Sequence, residues 1–374
     1  MSYPVEVTKF IEDNIQDRPV DLARKVIKMF PDFNRSEKQL SDVVRRKKLN
    51  VLSAIKDNAT EHGLDVADVH SGWLKNKDSS FYFKNPDLDK DFQERFKAEL
   101  IESIQGHSPN YVSIIREKCV DGHLLVLDPA DIHIGKLCDS FESGENYNNE
   151  IAVSRVLEGV DGILQKSNGF NIDKILFIGG NDILHIDTPD RKTTSGTNQD
   201  TCGMWYTNFL KAKKLYVEVI DKLLNIADVH FTFNPSNHDY VHGFFLAQVI
   251  ETHYQNCDNI TFDCSIAHRK GFKYGTNLIG TTHGDGAKAQ DLPLLMAQEF
   301  PKWWGNTKHR YVYTHHVHHK TSKDYIAVTV ESLRSPSATD SWHHRKGFQH
   351  SPQAVEGFIH HKEFGQIARL TNIF

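Results

Sequence analysis

The sequence predicts an α/β protein in which a β-sheet lies between layers of helices. Short apolar segments rich in β-branched residues stop abruptly at polar residues, a pattern typical of buried strands. Longer segments with apolar residues at helical spacing follow most of these strands, and such alternation indicates a sheet that is at least partly parallel. Asp, Asn or His follows several of the strands, at the sheet edge where α/β proteins bind ligands.

Six strands and four helices are predicted after residue 118. The predicted strands are His123–Leu127, Ile175–Ile178, Val229–Phe233, Asn277–Thr281, Arg310–Tyr313 and Tyr325–Glu331. The predicted helices are Asn149–Gln165, Met204–Ala227, Phe244–Tyr254 and Leu292–Phe300. We expect these elements to form the main domain, residues 119–374.

Length and composition limit the class of protein. A chain of 374 residues can form one large domain and a smaller one, and its net charge of −5 provides no overall attraction to nucleic acid. Five cysteines without a Cys-x-x-Cys pair favour a reducing interior over disulfides or a thiolate zinc site. The amino terminus lacks the apolar run of a signal peptide, and no segment is long enough to span a bilayer. We expect a cytoplasmic protein without a membrane partner.

Residues 1–60 are predicted to form a small helical domain of helix-turn-helix type. Val20–Met29 has apolar residues at helical spacing, and Ser36 is a suitable N-cap for a second helix, Glu37–Lys47. Between Asp21 and Asn50, nine Lys or Arg stand against four Asp or Glu. Two basic helices suit binding to nucleic-acid phosphates, and a solvated helical face is the alternative.

Residues 61–118 are predicted to form a mixed linker or accessory region. Trp73–Lys77 and Ser80–Phe83 alternate basic and aromatic residues, which could stack on bases or pack as a small hairpin. A charged helix is expected at Asp87–Gln105, leading into the main domain.

Histidines are unusually frequent, 22 in all, and several follow predicted strands together with Asp or Asn. Residues two apart in an extended segment point the same way, so Asp131 and His133 can share one metal ion. Carboxylate, imidazole and amide ligands suit manganese, iron or zinc. The five segments with such side chains are Asp131-Ile132-His133, Asn181-Asp182, Asn237-His238-Asp239, His283-Gly284-Asp285 and His316-Val317-His318.

The order of these segments resembles the calcineurin-like metallophosphoesterase superfamily. Its motifs are Asp-x-His, Gly-Asp, Gly-Asn-His-Asp/Glu, a lone His and Gly-His-x-His, each after a strand, and the match runs from about residue 124 to residue 331. The segments RKTTSGTNQD, THGD and SPSATDSWHHRKGF look most like phage-type members related to DNA repair nucleases. The resemblance implies an αββα sandwich, two mixed β-sheets flanked by helices, with a small helical N-terminal domain. It also implies the host cytoplasm if the chain is phage-encoded.

The resemblance implies two divalent metal ions, with manganese the first choice and iron, zinc or nickel left open. A hydroxide bridging the two ions would attack phosphorus in line. His238 would serve as general acid or stabilise the transition state, and Asp239 would orient His238. One ion would be held by Asp131, His133, Asp182 and His318, and the other by Asp182, Asn237, His283 and His316.

The sequence departs from the family motifs at three positions. An asparagine, Asn181, stands between Gly180 and Asp182, so either residue could occupy the bridging position. We expect Asp182, because only an anion can offset two adjacent dications. Ser236 and His315 replace glycines that often permit positive φ, so the two loops could be tighter or shifted.

We expect hydrolysis of phosphodiester bonds, with a DNA nuclease as the first choice. The alternatives are a phosphodiesterase or phosphatase for small phosphoesters or phosphoproteins, and a binding module whose site is degraded. Nucleic acid would bind through the basic N-terminal helices, and self-association into homo-oligomers stays open. Residues 342–346 are expected at the rim of the cleft or in a solvated turn. Substrate contacts are expected from Arg191, which could pair with phosphate, and from Thr194 and His185.

Overall fold

The structure, a computed structural model, describes residues 3–15, 17–33, 35–47, 71–75, 80–84, 109–117, 119, 121–347 and 351–374. The chain divides into two compact units, Met1–Ser103 and Ile104–Phe374. The predicted domain limits at residues 60 and 118 stay predictions.

Three helices of the first unit pack around their own apolar core. They are α1, Val5–Asp13, α2, Pro19–Met29, and α3, residues 37–47. The amide of Gln39 donates to Ser36 Oγ, and the amide of Ser36 donates to Gln39 Oε1, over 3.3 and 3.1 Å. This reciprocal capping confirms Ser36 as the N-cap of the third helix. The core consists of Val7, Ile11, Ile15, Leu22, Ala23, Val26, Leu40 and Val44.

A hairpin completes the described part of the first unit. Strands β1, Ser71–Lys75, and β2, Ser80–Lys84, pair antiparallel. The hairpin alternative for this aromatic segment is therefore confirmed. The helix predicted at Asp87–Gln105 lies outside the described residues.

The second unit alternates strands with helices, as predicted. Its helices are α4, Ser140–Ser143, α5, Asn149–Lys166, α6, Trp205–Leu224, α7, Tyr240–His253, α8, Leu292–Glu299, α9, Pro301–Trp304, and α10, Ser341–Lys346. Its strands are β3, His123–Asp128, β4, Ile172–Gly180, β5, Asp228–Asn234, β6, Ile260–Asp263, β7, Arg269–Tyr274, β8, Asn277–Thr282, β9, His309–Thr314, β10, Thr321–Tyr325, β11, Val328–Ser332, β12, Ala354–His361, and β13, Gly365–Ile373.

These strands form two mixed sheets. The six-stranded sheet has the order β13-β12-β3-β4-β5-β6, and β3 to β6 run parallel in it. The five-stranded sheet has the order β10-β11-β9-β8-β7, with β8, β9 and β11 parallel. Antiparallel strands lie at both edges of the five-stranded sheet and at the β12–β13 edge of the six-stranded one.

Alternate side chains of β3 serve two different cores. Leu124 and Val126 pack with Ile279 and Tyr313 of the other sheet, which places the two sheets face to face. Leu125 and Leu127 pack against helices α5, α6 and α7 on the outer face. Helix α8 covers the outer face of the five-stranded sheet through Leu292 and Met296. The predicted αββα sandwich is confirmed.

The predicted strand Tyr325–Glu331 is confirmed from Val328 onwards, where it coincides with β11, and is wrong before it, where a hairpin turn joins β10 to β11. Ala327 in the turn has a φ of 64°. Strands β12 and β13 were not predicted because charged residues interrupt their apolar pattern. Buried Glu356 in β12 pairs with Arg334 and Arg369, so the charge is compensated inside the fold. None of the helices in the described ranges is long and apolar enough to cross a membrane.

Candidate metal centre

Five peptide segments meet where strands of both sheets reach their carboxyl ends. Beyond β3, β4 and β5 come the segments with Asp131, Asp182 and Asn237, and beyond β8 and β9 come those with His283 and His316. Among the described residues, three groups have donor atoms within 4.8 Å of one another. Two include a predicted carboxylate ligand, and they are Asp131, His133 and His318, and then Asp182, His283 and His316. The third consists of His133, His185 and His238. The structure therefore brings together the side chains predicted as metal ligands, and their metal-binding role stays a prediction.

The carboxylate of Asp182 lies between the two groups. Its Oδ2 is 3.2 Å from Nε2 of His283 and 4.0 Å from Nε2 of His133. Nε2 of His133 is in turn 3.2 Å from Nε2 of His318. On the other side, Oδ1 of Asn237 is 2.9 Å from Nε2 of His283. Asp182, rather than Asn181, is thus the side chain that faces both sets of imidazoles.

Left-handed backbone conformations build the ligand loops. Among the described residues, eight non-glycine residues have positive φ, and six of them lie in the ligand segments. They occur in the Asp131, Asp182 and His316 loops, and Asp, Asn and His are the non-glycine residues that tolerate this region best. The six are Asp131, His133, Asn181, Asp182, His316 and His318.

Backbone hydrogen bonds connect the first two ligand loops. The amide of Asp131 donates to the carbonyl of Asn181, and that of His133 donates to the carbonyl of Asp182, each over 2.9 Å. Gly180 precedes this ladder with a φ of 79°, and a Cβ there would lie 2.1 Å from the carbonyl oxygen of Asn234. Glycine is therefore required at the end of β4.

Two buried carboxylates dominate the charge of the centre. Burial raises the pKa of Asp131, but the charge and hydrogen bond of His318, together with the charge of His283, lower it below the usual value. Burial likewise opposes ionisation of Asp182, yet His283 and His238 hold its pKa below the usual range. Both carboxylates are therefore anions that require positive charge close by.

The imidazoles fall into two electrostatic classes. Burial, together with the charge of His238, keeps the pKa values of His133 and His185 well below the usual value, so both rings are neutral and each has one nitrogen with a lone pair. Burial would also lower the pKa of His283, but the adjacent Asp182 carboxylate raises it to about 9. The positive charge that His283 gains by protonation thus offsets the negative charge of Asp182.

The donor set fits two divalent ions. Imidazole nitrogens, two anionic carboxylates and an amide oxygen converge, and the two groups on either side of Asp182 each include a carboxylate. Imidazole and carboxylate donors suit manganese, iron, nickel or zinc without excluding any of them. Asp131, His133 and His318 would hold one ion, and Asn237, His283 and His316 the other, with Asp182 shared between them.

His238 is oriented by a backbone carbonyl. Its Nδ1 lies 2.9 Å from the carbonyl oxygen of His185, which can only accept, so Nδ1 carries a proton and Nε2 is left for other chemistry. The predicted orienting role of Asp239 requires a correction. Its carboxylate accepts instead from Ser236 Oγ over 2.6 Å and from the amide of Leu184 over 2.8 Å. Asp239 therefore supports the Asp182 loop rather than the His238 ring.

Ser236 and His315, which stand where the resembled motifs have glycine, both make buried polar contacts. Ser236 Oγ accepts from the amide of Asp182 over 2.7 Å, so the hydroxyl connects Asp182 to Asp239. His315 is fully buried, and its Nε2 lies 2.9 Å from Oδ2 of Asp128, which is also fully buried. Neither residue has positive φ. The glycine conformation is therefore not needed here, and the loops keep their ligands facing the centre.

A C-terminal segment that sequence reasoning left without a role holds the Asp131 loop. Ser335 Oγ donates to the carbonyl of Asp131 over 2.6 Å, where both groups are buried. Nζ of Lys136, 1% exposed, lies 3.0 Å from Oδ2 of Asp340. The sequence signal for this role is the segment SPSATD, residues 335–340, because small hydroxyl residues and an acidic residue suit contacts with a buried loop.

A cleft of about 660 Å³ opens over the centre. Asp182, Asn237, His238, His316 and His318 line it, together with parts of the 193–200 loop and of helix α10. Of the predicted substrate residues, His185 lies in the cleft wall. Thr194 instead donates its hydroxyl to Asp187 over 2.8 Å, and Arg191 is exposed with a φ of 61°; neither lines the cleft.

The side chain of His185 was not expected to contact a ligand candidate directly. Its Nδ1 lies 3.2 Å from Nδ1 of His133, and the rings of His185 and His238 stack at 5.2 Å. Since one of the two Nδ1 atoms must donate, a proton on His133 Nδ1 leaves its Nε2 lone pair facing the centre. By accepting from Nδ1 of His133, His185 would favour the tautomer that metal binding requires.

Comparison with known proteins identifies no family. No family model matches the chain, and no curated protein matches it. Among solved structures, a novel archaeal phosphodiesterase aligns at 10% identity over 67% of this chain and 99% of its own, with a TM-score of 0.32. Zinc-complexed Vps29 from Entamoeba histolytica aligns at 12% identity over 67% and 98%, with a TM-score of 0.29.

A putative 5'-nucleotidase from Staphylococcus aureus aligns at 10% identity over 67% of this chain and 54% of its own, with a TM-score of 0.33. Likenesses at these TM-scores carry no argument about function. The function is therefore inferred from the side chains of this chain alone.

Replacing His185 tests its contact with His133. We expect His185→Ala to weaken binding of manganese roughly 10- to 100-fold, because ligand orientation is lost. His185→Gln keeps an acceptor near His133 and should recover part of the affinity. Isothermal titration with manganese measures both variants.

The matched control removes an equally buried imidazole elsewhere. Nε2 of His360 lies 2.9 Å from the hydroxyl of Tyr313, and its ring is fully buried. Metal affinity should survive His360→Ala. Equal losses in His185→Ala and His360→Ala would show a general effect on folding and refute the positioning role.

Proposed function

We propose that this chain is a two-metal-dependent phosphoesterase that hydrolyses phosphodiester bonds. The observation that carries the proposal is the Asp182 carboxylate facing the imidazoles of both ligand groups inside one cleft. Two divalent ions bound there would supply an activated water and neutralise phosphoryl oxygens.

The side chains of the centre have different roles in this proposal. Asp131 and Asp182 provide buried negative charge that attracts the cations, and the neutral imidazole of His133 offers a lone pair. With Nδ1–H of His238 donating to the carbonyl of His185, the imidazolium form of this ring would donate its Nε2 proton to the leaving oxygen. The ladder between the Asp131 and Asp182 loops keeps these groups in place before substrate arrives.

Within this class we propose a nuclease acting on DNA, with manganese as the first metal to try. The open cleft of about 660 Å³ can admit a nucleotide chain, and the third helix of the first unit has two exposed arginines, Arg45 and Arg46. The sequence likeness to phage-type members motivates the same choice. All five cysteines are free, which suits the reducing host cytoplasm proposed for such a protein.

A substrate panel tests the proposed reaction. With manganese added, we expect hydrolysis of bis-p-nitrophenyl phosphate and of DNA, and we expect His238→Ala to reduce both rates roughly 100- to 10,000-fold. The variant should still bind manganese, since it keeps both carboxylates, Asp131 and Asp182, and every other proposed ligand. Hydrolysis by His238→Ala at the rate of the unsubstituted protein would show that His238 is not the general acid.

The same panel separates the alternatives. Preference for cyclic nucleotides or phosphoproteins over DNA would favour hydrolysis of small phosphoesters or phosphoprotein substrates. Failure to bind metal or to cleave any phosphoester would favour a binding module with a degraded site.

We propose that the helix of residues 37–47 binds the phosphates of nucleic acid. Its Arg45 and Arg46 are exposed, whereas Arg24, Lys25 and Lys47 of the same unit form ion pairs with Glu37, Asp17 and Glu12.

Arg45→Ala combined with Arg46→Ala should weaken DNA binding and reduce its salt dependence, because fewer counterions are released. Lys25→Ala, at an ion-paired position, serves as the control. Fluorescence anisotropy over a salt series measures the effect, and an unchanged salt slope in the double variant would exclude this surface.

A further inference from the structure

Two stacked ring pairs lie at the start of helix α7. Trp205 stacks on His242 with ring centroids 5.6 Å apart and planes at 14°, and Tyr240 stacks on His268 at 5.7 Å and 25°. Tyr240 and His242 both belong to the first turn of this helix. The metal-centre segment Asn237-His238-Asp239 runs directly into that turn.

The rings around Trp205 remain open to solvent although they are apolar. Trp205 is 39% exposed and Tyr206 51%, with their rings in edge contact at 5.7 Å. Met204, Val241 and Phe245 add exposed apolar surface from the same two helix starts. A cluster of exposed apolar groups of this kind indicates a binding surface.

Hydrogen bonds fix this aromatic surface to the wall of the cleft. The amides of Val241 and His242 donate to the carboxylate of Asp187, and Thr194 donates its hydroxyl to the same carboxylate. The amide of Thr194 donates to the carbonyl of Asn237 over 3.2 Å. The aromatic surface and the segment that contains Asn237 are therefore joined through Asp187 and Thr194.

We propose that Trp205, with its neighbour Tyr206, is a stacking site for an unpaired nucleobase of a nucleic-acid substrate. This inference rests on the proposed phosphodiesterase function and names its substrate class. The near-parallel ring pair already shows the geometry in which a flat ring packs, and every base offers such a face. In a duplex both faces of a base are covered by neighbours, so single strands or unpaired ends are the preferred substrate.

The experiment compares Trp205→Ala with Trp303→Ala. Trp303 is also 39% exposed and also stacks on an aromatic ring, that of Phe300, but it lies in helix α9 of the other sheet layer. The ligands are a fluorescent single-stranded DNA oligonucleotide, the same oligonucleotide with abasic sites, and the corresponding duplex. Anisotropy is measured with calcium in place of manganese to slow cleavage.

We expect Trp205→Ala to bind the single strand roughly 10-fold more weakly, and the abasic strand with little change. Trp205→Phe should recover most of the affinity because it retains a ring, which also shows that the loss is not one of folding. Trp303→Ala should bind like the unsubstituted protein. The unsubstituted protein should bind the single strand more tightly than the duplex.

Any of four results would overturn the stacking site. Trp205→Ala could weaken binding of the intact and abasic strands equally, or have no effect on binding. Trp303→Ala could weaken binding as much as Trp205→Ala, or the duplex could bind more tightly than the single strand. Hydrolysis of bis-p-nitrophenyl phosphate by the unsubstituted protein is measured in parallel. Loss of that hydrolysis alone would contradict the phosphoesterase proposal, while the binding comparison would still decide the role of Trp205.

Discussion

The centre depends on placing the single carboxylate of Asp182, 1% exposed, between imidazoles that come from both sheets. A buried anion is stable only with compensating charge and hydrogen bonds. Here the amide of His238 donates to Oδ1, while Oδ2 faces His283. Because β4 lies in one sheet and His283 follows β8 in the other, the sandwich itself sets this spacing.

The backbone that presents Asp182 is held in a conformation that costs about 1–2 kcal/mol per non-glycine residue. Asp131, His133 and Asp182 all adopt it, so the loops would relax if they were free. They are held by the ladder between the two loops, by Ser236 beneath Asp182, and by Ser335 on the carbonyl of Asp131. Strain of this kind is typical of sites whose groups are fixed before a ligand binds.

Much of the fold could be predicted from the sequence because the strands that lead to the site are short, apolar and buried. Strands β3, β5 and β8 differ from the predicted ranges by a residue or so at their ends. Strand β12 was missed because Glu356 and His360 break its pattern, and only the tertiary structure supplies Arg334 and Tyr313 as their partners. Local pattern cannot reveal a polar residue that is buried with a distant partner.

The ligand candidates could be located from the sequence because each follows a strand, but their supports could not. His185, Ser236 and Ser335 act through contacts with residues 52, 54 and 204 positions away. The role predicted for Asp239 was wrong for the same reason, since adjacency to His238 in sequence does not direct its carboxylate to that ring. Three-dimensional geometry assigns the orienting contact to the His185 carbonyl.

Anomalous diffraction from crystals grown with manganese tests the central position of Asp182 most directly. The expected result is two peaks about 3.5–4 Å apart, with the Asp182 carboxylate touching both. His133 and His318 should contact one peak, and His283 and His316 the other. A single peak, or two peaks with the Asp182 side chain turned away from either, would contradict the shared-carboxylate centre.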